Sequence, residues 1–181
     1  MLKLKFKFVI NKFGLIEGLK LRGQFEVWCY NKHGNLKWYE KSHNLCVDEG
    51  LDYLLDVFLG SETKPTWYCA LRDDANTPAS DWTASGNGTQ YTEFTGYDEG
   101  SRPTYQAGSA SNKSIDNEAN KATYTINTSG TLTGAYLVTS PNKGTGEGIM
   151  YCCSNFSSSR SVEPGDTVQL KYTCTSADDG E

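Results

Sequence analysis

Apolar and polar residues alternate along most of this chain. "MLKLKFKFVI" sets Leu2, Leu4, Phe6 and Phe8 against Lys3, Lys5 and Lys7, the period of a β-strand with one lysine-coated face. "GQFEVWCYNKHGNLKWYEKSHN" reads as a hairpin: a strand from Phe25 to Tyr30 meets one from Leu36 to Glu40 across the turn Lys32-His33-Gly34-Asn35. Further strands are predicted at 66–73, in the short "QYTEFT", and at 122–127, 132–140, 146–155 and 166–175. The last is launched by Pro164-Gly165-Asp166 and turns Val168, Leu170, Tyr172 and Cys174 inward. Residues 73–90 and 96–114 read as long loops, with Trp82, Tyr97 and Tyr105 as candidate exposed contacts. Trp82 and Tyr105 also read as aromatics that anchor their loops, and for Trp82 the anchor is the favoured reading.

One stretch breaks the alternation. In "HNLCVDEGLDYLLDVFLG" the leucines and Phe58 fall at Leu51, Leu54, Leu55, Phe58 and Leu59, the i, i+3, i+4, i+7, i+8 stripe of a helix. Asp48 is the expected N-cap and Gly60 the stop. Glu49, Asp52 and Asp56 are expected to face water. So short a helix needs tertiary packing, and the stripe is the face expected to be buried against a sheet edge or one end of the sandwich. The pattern predicts an all-β domain, a β-sandwich of jelly-roll-like kind, with one short α-helix and an extended N-terminal arm. The expected divisions are a basic arm or lysine-guarded edge strand at 1–22, the sandwich at 23–175 and a frayed tail at 176–181.

Charge adds a feature to this outline. Residues 1–50 hold nine Lys/Arg against five Asp/Glu, and the remainder eight against seventeen. The excess lies in the arm, where Lys3, Lys5, Lys7, Lys12, Lys20 and Arg22 face only Glu17. A basic arm on an acidic body suits docking onto an acidic protein surface. Nucleic acid is not expected as a partner, because the body would repel it. No run of 18 apolar residues occurs, so no membrane span is expected. The N-terminus lacks the pattern of a signal peptide, and the expected place of synthesis is a cytoplasm. There the six cysteines, Cys29, Cys46, Cys69, Cys152, Cys153 and Cys174, read as buried or half-buried thiols. The adjacent Cys152 and Cys153 should point to opposite faces of a strand.

The residues that carry chemistry are few. No C-x-x-C occurs and the histidines are only His33 and His43, so zinc is not expected. "GTGEG" at 144–148 is followed by neither a helix nor Lys-Ser/Thr, and reads as a hairpin turn and not a phosphate loop. Asp73 and Asp74 lack the ligand spacing of a calcium loop. No nucleophile elbow is present. The expectation is a protein that is not an enzyme and takes no cofactor.

The order of motifs carries a resemblance. "FEVWCYNKHGNLKWYEKSHN", "EGLDYLLDVFLG", "TWYCAL", "RPTY", "LTGAYLVTS", "FSSSRSVEPGD" and "VQLKYT" follow one another over residues 24–175. The set resembles a family of tailed-bacteriophage virion structural proteins. The resemblance implies a non-enzymatic virion component, most like the capsid decoration (cement) proteins that sit on the shell as trimers. The implied partners are the phage major capsid protein and further copies of this chain, and the implied location is the capsid surface of a virion made in a host bacterium. The basic arm is then the expected shell contact. A rival expectation is a receptor- or glycan-binding module of a tail fibre or baseplate, resting on the aromatic-bearing loops. A cell-wall hydrolase would need a carboxylate or Cys-His pair in a cleft, for which the chain offers no pattern.

Overall fold

A computed structural model describes residues 19–178. The arm expected over 1–22 is therefore described only from Leu19 onward; Lys3, Lys5, Lys7 and Lys12 lie outside the described residues.

The chain runs through β1 (Leu19–Tyr30), β2 (Leu36–His43), β3 (Leu45–Cys46), α1 (Asp48–Leu59), β4 (Tyr68–Arg72), β5 (Glu93–Phe94), β6 (Ser114–Asp116), β7 (Ala122–Thr125), β8 (Gly130–Val138), β9 (Met150–Val162) and β10 (Thr167–Asp178). Two antiparallel sheets result. One has the order β2-β1-β10-β6, with β7 on the same edge of β10 as β6. The other has the order β3-β9-β8-β4-β5. This is the expected all-β sandwich.

Alternation sets the core. Phe25, Val27 and Cys29 from β1 and Val168, Leu170 and Tyr172 from β10 point inward and meet Leu71, Leu132 and Leu137 of the second sheet. The predicted hairpin forms, with β1 and β2 paired from Gln24↔His43 to Tyr30↔Leu36. Its turn closes by a hydrogen bond from Gly34 N–H to the Asn31 carbonyl at 2.8 Å, and Gly34 takes φ 79°, a left-handed conformation that costs glycine little.

The second sheet is covered on both faces. Cys152 points into the main core, while Cys153 points the other way into a second cluster with Val47, Ala70, Trp82, Ala84, Tyr91, Tyr136, Val138 and Met150. The loop at 73–90 is thus a third layer folded over that sheet. This explains the near-continuous apolar run of "GAYLV", which a strand with one wet face would not carry.

Several boundaries differ from the sequence reading. Ser176, Ala177 and Asp178 are strand, paired with Leu21, Lys20 and Leu19, where a frayed tail was expected. By the same pairing Lys20 and Arg22 belong to β1, which agrees with the strand alternative for these two residues; β2 joins it only from Gln24. β9 continues through the polar run Ser157–Ser161, which has no apolar face to betray it.

All six cysteines are free thiols, as expected. Cys29, Cys69, Cys152 and Cys153 are fully buried. Burial pushes the Cys153 thiol up to about 12, and burial together with the Asp166 carboxylate does the same to Cys29. Since the thiolate is the reactive form, native protein at neutral pH should leave these four unalkylated, with Cys46 and Cys174 reacting first. Mass spectrometry should count six alkylated thiols after unfolding in denaturant without reductant. A count of four would reveal a disulfide.

Candidate interaction surface

α1 forms where periodicity predicts it but buries a different face. Val47 precedes its first turn in extended conformation, so Asp48 is the first helical residue and not the cap. The residues turned toward the sheets are Gly50, which is buried, and Tyr53, Leu54 and Val57, which are half-buried. Tyr53 meets Trp67 edge-on at 6.2 Å, and Trp67 in turn packs on Tyr151 at 5.6 Å.

Gly50 decides this orientation. A Cβ placed there would lie 2.4 Å from the Tyr151 carbonyl oxygen and 2.7 Å from that of Met150. Only glycine lets the helix sit so close to the start of β9. Glu49, expected in water, is drawn in with it: its carboxylate accepts hydrogen bonds from the backbone N–H groups of Ala84, at 3.1 Å, and Met150, at 2.5 Å. It joins the helix, the third layer and β9.

The consequence is a reversal of the expected stripe. Leu51 is 39 % exposed, Leu55 57 %, Phe58 79 % and Leu59 77 %. With 100° between successive residues, these four side chains share one face, and the exposed Asp48, Asp52 and Asp56 run alongside them. α1 carries four acidic residues and no basic one. The result is an apolar strip beside a row of negative charge, facing outward.

Next to the inner side of α1 lies a cavity of 490 Å³. Its walls include Leu54, Trp67, Tyr105, Tyr151, Tyr172 and Cys174. Tyr105 is the one residue of the three suggested loop contacts that reaches such a place; it is half-buried, and its hydroxyl donates to the Tyr172 carbonyl at 3.3 Å. Trp82 and Tyr97 are 5 % and 1 % exposed, which rules out both as exposed contacts, bears out the anchor reading of Trp82 and corrects that of Tyr97. Trp82 stacks on Tyr91, with the Arg72 guanidinium 4.6 Å above its ring. Tyr97 lies edge-on to Tyr124 and carries the Lys143 ammonium 4.2 Å from its ring centre. Both are anchors that hold loops down. Lys20 and Arg22 are exposed at the start of β1.

The buried carboxylates hold structure together. Glu93 forms a two-pronged pair with Arg102 at 2.8 Å on each oxygen, Glu40 pairs with Arg160, and Asp74 pairs with Arg72. Burial pushes the Asp74 carboxyl up, but hydrogen bonds from Arg72 and the backbone N–H groups of Thr92 and Asn76 outweigh it and hold the group below its usual range. In these three pairs the carboxylate oxygens are engaged by guanidinium and backbone donors. Among the described residues, no group of His, Cys, Asp or Glu is arranged to hold a metal ion, and no helix is long and apolar enough to cross a membrane. His33 is exposed in its hairpin turn.

Sequence reasoning missed Arg72 and Arg102, whose burial has no local signature. It did contain a hint of the helix orientation: glycine in a helix interior costs about 1 kcal/mol against alanine, which points to a close contact at Gly50.

No protein-family model matches the chain, and no curated protein matches it.

Proposed function

We propose that this chain is a non-enzymatic assembly protein: a decoration (cement) protein of a tailed-phage virion, bound to the major capsid protein as a homotrimer. The observation that carries the assembly part is the outward apolar face of α1. Four large apolar side chains lined up on one exposed helix mark a surface that another protein covers. The virion part comes from the ordered motifs over residues 24–175.

The physical logic of a cement protein suits a two-sheet sandwich tied by buried ion pairs. A rigid body that binds the assembled shell more tightly than free subunits stabilises the shell by linkage, with no reaction needed. The rival reading as a tail-fibre or baseplate glycan-binding module loses much of its support, because Trp82 and Tyr97 are core residues.

Co-sedimentation tests this reading. Purified protein should pellet with capsids lacking it and saturate at a fixed stoichiometry, and added salt should weaken any contribution from the basic residues. Failure to bind capsids, with binding to tails or to host cell-surface glycan instead, would replace the cement reading with the tail reading.

A further inference from the structure

We propose that the exposed face of α1 is the seat for residues 2–10 of a second copy of this chain. The inference rests on the assembly reading above and names the partner of the same surface.

Three observations favour that occupant. The first is charge. The helix presents Asp48, Asp52 and Asp56 beside its apolar strip, so a second α1 laid against it would set acid against acid. Residues 1–12 of the chain hold Lys3, Lys5, Lys7 and Lys12 and no acidic residue. The second is pattern. Leu2, Leu4, Phe6 and Phe8 alternate with lysines, so an extended segment offers one apolar side to Leu51, Leu55, Phe58 and Leu59. Its lysines on the other side remain within a Debye length, about 8 Å at physiological salt, of the aspartate row. They also stay free to face a further surface.

The third is where the described chain starts. β1 pairs with β2 only from Gln24 onward, yet it runs on, paired with β10, out to Leu19↔Asp178. Leu19 therefore lies about 13 Å along β1 beyond Gly23, at about 3.3 Å per residue; the Gly23 carbonyl accepts the Asn44 N–H at 3.1 Å. Residues 11–18 join the segment to β1 and, at about 3.3 Å per residue, can span up to about 26 Å, a reach long enough to place residues 2–10 on a neighbouring copy.

Complementation tests the proposal without any capsid, so its outcome is separate from that of shell binding. Three forms of the full protein are compared by sedimentation equilibrium: wild type, a deletion of residues 2–10, and Phe58→Asp. Wild type is expected to self-associate. Each variant alone should associate about 30- to 100-fold more weakly, the loss expected on removing a central apolar anchor. An unchanged circular dichroism spectrum would show that both remain folded. An equimolar mixture of the two should regain association, because the Phe58→Asp copy still supplies its segment and the deleted copy still supplies its helix. A wild type that stays monomeric overturns the proposal, as do variants that associate as well as wild type. A mixture that fails to associate, although wild type does, also overturns it.

Discussion

Replacing Arg102 by Met is expected to cost about 3–5 kcal/mol of folding stability, the typical loss when one partner of a buried ion pair is removed. Arg102 is 1 % exposed. Its guanidinium donates to both Glu93 oxygens at 2.8 Å, to the Ser140 carbonyl at 3.0 Å and to the Thr145 carbonyl at 2.9 Å. Glu93 also accepts the Gly144 N–H at 2.7 Å. Burial by itself would favour loss of the Arg102 proton, but the Glu93 carboxylate outweighs it and keeps the group charged. Removing Arg102 leaves a buried carboxylate with one backbone donor, and frees two carbonyls that hold the 140–145 turn against β5. Urea denaturation of wild type, Arg102→Met and the double variant Arg102→Met/Glu93→Leu provides the check. The double variant should recover most of the loss, since an apolar pair of similar volume removes the unpaired charge. A single variant within about 1 kcal/mol of wild type would show that the network carries little of the stability.

The second expected result is a contrast within one helix. Gly50→Ala should destabilise by about 1–3 kcal/mol through overpacking, although alanine is the better helix former by about 1 kcal/mol. The added methyl would lie 2.4 Å from a backbone oxygen of β9, which cannot swing aside as a side chain can. Phe58→Asp, on the exposed face, should change the stability of the dilute protein by no more than about 0.5 kcal/mol. For a chain of this length each kcal/mol moves the thermal midpoint by about 2–4 °C, so the two are separable by calorimetry. The reverse result, a damaging Phe58→Asp and a silent Gly50→Ala, would mean that the leucine stripe is the docked face after all.

That contrast shows where sequence reasoning stops. The residues from Asp48 to Leu59 have acids at four positions and apolar residues or glycine at the others. Two apolar stripes can be drawn through them, one over Leu51, Leu55, Phe58 and Leu59 and one over Gly50, Tyr53, Leu54 and Val57. Periodicity favours the stripe with the larger side chains. Packing selects the one whose glycine admits the backbone of β9. Local pattern cannot see that neighbour, because Tyr151 lies about a hundred residues downstream.

The same division runs through the whole molecule. The sequence by itself determined the strands other than β3 and β6, the first hairpin, the inward row of β10, the opposed directions of Cys152 and Cys153, and the sandwich class. Each follows from side-chain period and turn chemistry, which act between residues close in the chain. It also determined the basic character of the first 22 residues. Only the tertiary structure decided that the 73–90 loop is a third layer, that Tyr97 is an anchor, that Arg72 and Arg102 are buried, and that α1 turns Leu51, Leu55 and Leu59 outward. All of these depend on partners distant in sequence. A polar or aromatic residue in a loop reads as exposed until the element that covers it, or the charge that neutralises it, has been brought against it by the fold.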